Sequence, residues 1–207
     1  MSGAQAGSLA VVTGAGSATG IGFATAQALG AAGHALLLAS TTDRIHDRAA
    51  ELRAAGFAAR GVACDLTSEA GVAALTAAVG NEPVAVVINN AGMAILGAMD
   101  ELDELDRVTL AQWQRSLERN LTTAFLVTRA FLPGMKAHRY GRIVNISSTT
   151  GAVSAVAGDT AYAAAKAGAT WQRIHIAWRR VEPMPGPFNW GYVDHWIDGA
   201  WGRGLRR

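Results

Sequence analysis

Cysteine is almost absent from this 207-residue chain. The single thiol, Cys64, has no counterpart to pair with, which excludes a disulfide framework and a thiolate metal site. Long apolar runs are missing too. Stretches such as Val84-Ala85-Val86-Val87-Ile88 fall far short of the roughly 20 residues that a membrane helix needs. The opening residues Met1-Ser2-Gly3-Ala4-Gln5 place no basic region ahead of an apolar block, so no secretory signal is expected. Charge is sparse, at 16% of residues, and no basic stripe interleaved with aromatics runs through the main body. The small positive balance belongs to the end of the chain. Residues 1–170 carry twelve Lys and Arg against thirteen Asp and Glu, whereas residues 171–207 carry six Arg against three acids. These absences predict a soluble, cytoplasmic protein that uses neither nucleic acid nor membrane as a partner.

Half of the residues are hydrophobic, enough for one buried core and too few for two. Leu9 to Thr13 is a short apolar run that stops at glycine and reads as a buried strand. The turn Gly14-Ala15-Gly16-Ser17-Ala18-Thr19-Gly20-Ile21-Gly22 follows, then a helical pattern from Phe23 to Leu29. Strand, glycine-rich turn and helix together place phosphates on a helix N-terminus, where free N–H groups and the dipole favour negative charge. Further strands are expected at Ala35 to Ala39, Ala59 to Cys64, Val84 to Ile88 and Arg142 to Ile146. Helices are expected at Asp43 to Ala55, at Ser68 to Val79 with Ser68 as the N-cap, and near Leu110 to Ala130. Strands alternating with helices predict an α/β fold, a doubly wound parallel sheet of Rossmann type with helices on both faces.

Tyr162 and Lys166 lie four residues apart, on one face of a helix. A free phenol ionises near pH 10, and an ammonium group beside it favours the phenolate. Such a pair exchanges a proton with an alcohol or ketone. With Thr13-Gly14, Gly20-Ile21-Gly22, Asn89-Asn90-Ala91-Gly92, Asn120 and Ser148 in the same order, residues 8–170 resemble the short-chain dehydrogenase/reductase family, most of all its 3-oxoacyl-carrier-protein-reductase-like members. The glycine turn departs from the family's commonest form, with five residues rather than three between Gly14 and Gly20, an insertion that fits if it bulges outward.

The resemblance implies hydride transfer between NADP(H) and a ketone or secondary alcohol, with a 3-oxoacyl thioester as a candidate substrate. It assigns the proton transfer to Tyr162, and to Lys166 the activation of that phenol and a hold on the nicotinamide ribose. Ser148 donates to the substrate oxygen, and Asn120 holds a water between Lys166 and solvent. Ser147 is the alternative to Ser148, which is chosen because Ser148-Thr149-Thr150-Gly151 matches the family's serine-to-glycine spacing. Gly14, Gly16, Gly20, Ile21 and Gly22 cradle the phosphates, Asp65 and Leu66 meet the adenine, and Asn90, Ala91 and Gly92 pack by the adenosine ribose. Asn89 is equally readable as a brace between strands. No carboxylate directly follows the second strand, where Ser40, Thr41 and Arg44 favour the 2′-phosphate of NADP. NAD is the alternative, with Asp43 as a helix cap and Arg44 as a solvated side chain. Family members are homodimers or homotetramers, and no metal is expected. His175 and His195 stand without ligand-like companions in the sequence.

From residue 171 the character changes. Five of the six tryptophans and three of the five prolines lie there. The resemblance ends with them, so the chain is read as a catalytic domain over 1–170 and an atypical extension over 171–207. The expectation is a frame shift or gene truncation that replaced the family's usual ending, with a novel cap as the alternative. The alternative function is then a truncated, weakly active or inactive nucleotide-binding or interaction protein.

Overall fold

The computed structural model describes residues 7–92, 105–153 and 158–171. Five parallel strands form one sheet: β1 (Leu9–Thr13), β2 (Ala35–Ser40), β3 (Ala59–Ala63), β4 (Val84–Asn89) and β5 (Arg142–Asn145), in the order β3-β2-β1-β4-β5. Every residue of β1 and the centres of β2 and β4 are buried. Strands covered on both faces read as continuous apolar runs, which is why LAVVT and ALLLAS show no polar alternation.

Side chains still alternate between the faces. Leu9, Val11, Leu37, Ala39 and Val87 point to one core, shared with α3 (Glu69–Val79) and α5 (Thr123–Ala137). Ala10, Val12, Leu36, Leu38, Val86 and Ile88 point to the other, shared with α1 (Ile21–Ala31) and α2 (Arg44–Ala54). The chain winds outward from β1 to β3 and then returns to β4 on the opposite side of β1. The strand order therefore reverses between β1 and β4, the place where ligands bind in open sheets of this kind.

Helix ends follow their local chemistry. Ser68 caps α3, its hydroxyl oxygen accepting from the Gly71 N–H at 3.1 Å. Asp43 precedes α2 with helical backbone angles and no side-chain cap bond, so its expected capping role is not realised. The helix expected near Leu110 to Ala130 is two helices. Thr109 and Gln112 close a capping box that starts α4 (Leu110–Leu117). A π-helical turn over Glu118–Thr122 then joins α4 to α5. α5 continues through Pro133 to Ala137, because Phe131 and Met135 on either side of the proline are buried in the core. The short α6 (Thr149–Ala152) and α7 (Thr160–Trp171) complete the described elements. The extension from residue 172 onward, with His175 and His195, lies outside the described residues. Among the described residues no helix is long and apolar enough to cross a membrane.

Candidate active site

Each strand hands the chain to a loop at its carboxyl end, and the residues singled out from sequence sit on those loops in sheet order. Asp65 follows β3, Ser40 ends β2, Gly14 follows β1, Asn90 follows β4, and Ser147 and Ser148 follow β5. The two central loops are joined. Thr13 Oγ1 donates to the Ile88 carbonyl at 3.1 Å and accepts from the N–H groups of Asn90 and Ala91, each at 3.0 Å. The Asn90 amide donates to the carbonyls of Thr13 (3.1 Å) and Gly14 (3.0 Å). Asn90 thus braces the glycine turn, and its Nδ2 is spent on that task.

Gly14 sits at φ +68°, and a methyl there would lie 2.8 Å from the Ala91 backbone. A methyl at Gly22 would lie 2.6 Å from Asn90 Nδ2. Only hydrogen fits at either position. The long turn accommodates its extra residues outward: Ala15 is buried, Ser17, Ala18 and Thr19 are exposed, and the Gly20 N–H returns to the Ser17 carbonyl at 3.2 Å. Ile21 is exposed. Gly20 offers α1 no side-chain cap and no acid occupies the first turn, so the positive end of the helix is left for an anion.

At the end of β2, a methyl on Gly16 would lie 3.0 Å from Ser40, so the serine packs against the glycine turn. Ser40 Oγ donates to the Thr42 carbonyl at 2.9 Å, and Arg44 Nε donates to Thr42 Oγ1 at 3.3 Å. Thr41, Thr42 and Arg44 are all exposed. Thr42 was not singled out from sequence, although it links the two residues that were. At the end of β3, Asp65 Oδ1 accepts from the N–H and hydroxyl of Thr67 at 3.0 and 2.7 Å. These bonds hold its carboxyl below the ordinary aspartate range. Burial, helped by the Asp65 charge, pushes the Cys64 thiol up. The Leu66 side chain is in the core, so what it can offer a ring is main chain.

At the other end of the sheet, Asn89 Nδ2 donates to Thr128 Oγ1 (2.9 Å) and to Asn145 Oδ1 (2.8 Å), tying β4, β5 and α5 together. Lys166, buried on α7, donates from Nζ to the Ile146 carbonyl at 3.3 Å and lies 5.7 Å from the centre of the Tyr162 ring. Burial holds its ammonium below the ordinary lysine range. Tyr162 is half-buried one turn earlier. Asn120, buried in the π-helical turn, is oriented by its Nδ2 bond to the Ser116 carbonyl at 3.1 Å. Gly92, at φ +135°, lies against Asn120 and Lys166. A methyl there would be 2.8 Å from Asn120 Oδ1 and 3.2 Å from Lys166 Nζ.

The two serines are used differently. Ser147 Oγ donates to the Lys166 carbonyl at 2.9 Å. Ser148 caps α6, its oxygen accepting from the Thr150 N–H at 3.2 Å, which leaves its own proton to give. Among the described residues no group of three or more His, Cys, Asp and Glu is placed to hold a metal.

Residues 8–171 match the family model for short chain dehydrogenase. The chain belongs to the short-chain dehydrogenase/reductase family. A cis-4-hydroxycyclohexanecarboxylate dehydrogenase of Sinomonas cyclohexanicum is 43% identical over 162 residues, which is 77% of this chain and 62% of that protein. A 3-oxoacyl-acyl-carrier-protein reductase of Pseudomonas aeruginosa is 37% identical over 166 residues, 78% of this chain and 63% of that protein. Among solved structures, a metagenomic short-chain oxidoreductase in complex with NADP superposes with a TM-score of 0.71 at 36% identity, covering 80% of this chain and 73% of that one. The chain spans about three fifths of the length of these curated family members. The π-helical turn that presents Asn120, the Ile146 carbonyl under Lys166 and the Thr13 bridge had no sequence signal beyond lying beside family positions.

Proposed function

We propose that this chain is an oxidoreductase transferring a hydride between NADP(H) and a ketone or secondary alcohol. The observation that carries the reading is the grouping of Lys166 and Asn120 around Gly92, with the Tyr162 ring centre 5.7 Å from Lys166 Nζ, at the carboxyl end of the sheet where the strand order reverses. The residues present fit a dinucleotide. The uncapped start of α1 and the glycine positions with no room for a methyl suit a pyrophosphate. Asp65 and the Leu66 main chain border the adenine end. When bound, the nicotinamide gives or takes the hydride.

The chain's own residues manage position and protons. In the direction of reduction, the Tyr162 hydroxyl gives its proton to the carbonyl oxygen as carbon gains the hydride. Ser148 donates to the same oxygen and stabilises the charge developing on it. The ammonium of Lys166 favours the phenolate left behind, and the proton is replaced from solvent past Asn120. In oxidation each transfer runs backward.

NADP over NAD is supported by Ser40, Thr41 and Arg44 at the end of β2, where no carboxylate faces a 2′-phosphate. The NADP named with the metagenomic structure points the same way. The relatives' names support a carbonyl compound or its alcohol as substrate, a 3-oxoacyl thioester being one candidate. A homodimer or homotetramer is part of the proposal and is read by light scattering. Oxidation of NADPH with small ketones or acetoacetyl thioesters tests the activity. Tyr162→Phe is expected to lower kcat about 10²- to 10⁴-fold, the usual worth of a general acid. A variant as active as the parent rejects the assignment.

A second reading, a nucleotide-binding protein with little turnover, is favoured by the position of β5. That strand ends the described sheet, and its Val144 side chain is exposed. NADP binding by calorimetry with no turnover on any carbonyl tested would select it.

A further inference from the structure

Lys166 is gripped at both ends by two consecutive residues. Its Nζ donates to the Ile146 carbonyl at 3.3 Å, and its own main-chain carbonyl accepts from Ser147 Oγ at 2.9 Å. Both residues lie directly after β5, whose register is fixed from the other side. The Ile146 N–H donates to the Asn89 carbonyl at 2.9 Å, and the Asn89 amide donates to Asn145. A continuous path of hydrogen bonds therefore runs from the central strand β4, through the end of β5, to helix α7.

The path matters because it ties the α7 main chain and side chain at Lys166 to the end of β5. α7 packs on α4, α6 and the π-helical turn. Losing the Ser147 bond would let the main chain at Lys166 shift against those neighbours. A lysine ammonium on a flexible four-carbon stem would then settle wherever hydration favours it. Among the described groups near Nζ are the Tyr162 ring on its own helix, the Ile146 carbonyl from the end of β5, and the Asn120 amide and Arg119 carbonyl from the π-helical turn.

We infer that Ser147 is a positioning residue for the proton-transfer pair. Its hydroxyl anchors the α7 main chain at Lys166, so that Nζ stays on the Ile146 carbonyl within reach of Tyr162. The inference rests on the functional reading above for its catalytic consequence, though not for its structural one. It also separates the two adjacent serines: Ser148 keeps a proton for substrate, and Ser147 spends its own on the helix. A second bond to a helical carbonyl is available because that oxygen has two lone pairs.

The chain has only two lysines, Lys136 and Lys166. Protein labelled with ¹³C-lysine therefore shows two ε-carbon signals, which Lys136→Arg assigns. In the parent, the Lys166 signal titrates below the ordinary lysine value of about 10.4. In Ser147→Ala its midpoint moves up towards that value as Nζ leaves its buried seat, and in Ser147→Thr, which keeps the hydroxyl, it stays with the parent. If Ser147→Ala does not fold, Ser147→Cys supplies a weaker donor of similar size and should give an intermediate midpoint. A Lys166 signal that titrates alike in the parent, Ser147→Ala and Ser147→Cys overturns the inference.

Turnover gives the second arm. Ser147→Ala is expected to lose about tenfold in kcat, a fraction of what the whole general acid supplies. The pH limb of the Tyr162–Lys166 pair should move up with the lysine midpoint, and Ser147→Thr should restore both. Should Tyr162→Phe keep its activity, the catalytic reading falls with the kinetic arm, while the lysine titration still decides whether Ser147 positions α7. A Ser147→Ala enzyme with parental kcat and pH limb, in a protein where Tyr162→Phe is dead, overturns the inference alone.

Discussion

Gly92 shows how one missing methyl organises the candidate site. Its φ of +135° is open to glycine and strained for other residues, and the space beside its Cα is filled by Asn120 Oδ1 and Lys166 Nζ. Gly92→Ala therefore meets two obstacles at once. The backbone must rotate, and the amide and ammonium must part by several tenths of an ångström. A misplacement of about 1 Å costs about a hundredfold in rate, which sets the upper end of the loss expected here. The variant should lose up to that much NADPH-dependent turnover while its far-ultraviolet dichroism stays that of the parent. Gly33 and Gly56 also have positive φ, but a methyl on either meets nothing within 4 Å. Alanine at those turns is strained by the backbone alone, and turnover should survive it. A Gly92→Ala enzyme that performs like Gly56→Ala would show that the crowding at Gly92 has no catalytic meaning.

The same scale explains what could be read from sequence and what could not. Gly14 and Gly22 were legible as positions in a strand–glycine turn–helix pattern where no side chain fits, and the Tyr162–Lys166 spacing as one face of a helix. The division of labour between Ser147 and Ser148 was legible only as a choice. Spacing favoured Ser148, but the partner that takes the Ser147 proton lies nineteen residues on, at Lys166, and exists only once β5 and α7 meet. Thr13 is similar. It stands in the motif, yet its bonds to Asn90 and Ala91 span 77 and 78 residues, beyond any local pattern.

Among the elements, strands declared themselves most clearly. Burial on both faces turns a parallel strand into an unbroken apolar run, and β1, β2 and β4 are such runs. The long helix expected near Leu110 to Ala130 did not declare its break. One extra residue per turn over Glu118–Thr122 barely disturbs an apolar period, although it turns Asn120 inward. Side chains absorb the disturbed backbone, with Asn120 Nδ2 on the Ser116 carbonyl and Thr123 Oγ1 on the Arg119 carbonyl at 3.0 Å. The start of α4 carried a signal that could have been used. Thr109-Leu110-Ala111-Gln112 has the capping-box spacing, and both reciprocal bonds form. Thr109→Ala removes the cap that seats α4, and with it about 1 kcal/mol of stability. Thr109→Ser should recover most of that loss, as read from urea denaturation midpoints. An alanine variant with the parent's midpoint would mean that packing alone holds the helix start.

At the scale of the whole molecule, the sheet divides the interior in two. The core shared with α3 and α5 and the core shared with α1 and α2 have no buried residue in common. Leu75 is fully buried in the first and Ile45 in the second. Leu75→Ala deletes enough buried surface to cost about 2–5 kcal/mol, and Ile45→Val, one methylene lighter, about 0.5–1.5 kcal/mol. Side chains on opposite faces can influence each other only through the strands between them. Those strands are held in register by β1 pairing with both β2 and β4. The double variant should therefore lose the sum of the single losses to within about 0.5 kcal/mol, the tolerance for independent sites. A larger excess would mean that the sheet bends when one face is hollowed, transmitting strain to the other. The consequence would reach the candidate site, because the joined loops after β1 and β4 are carried on those same strands. Strain crossing the sheet would then loosen the Thr13–Asn90 bridge, and nucleotide affinity would fall in the Leu75→Ala variant although Leu75 belongs to none of the loops that carry the site.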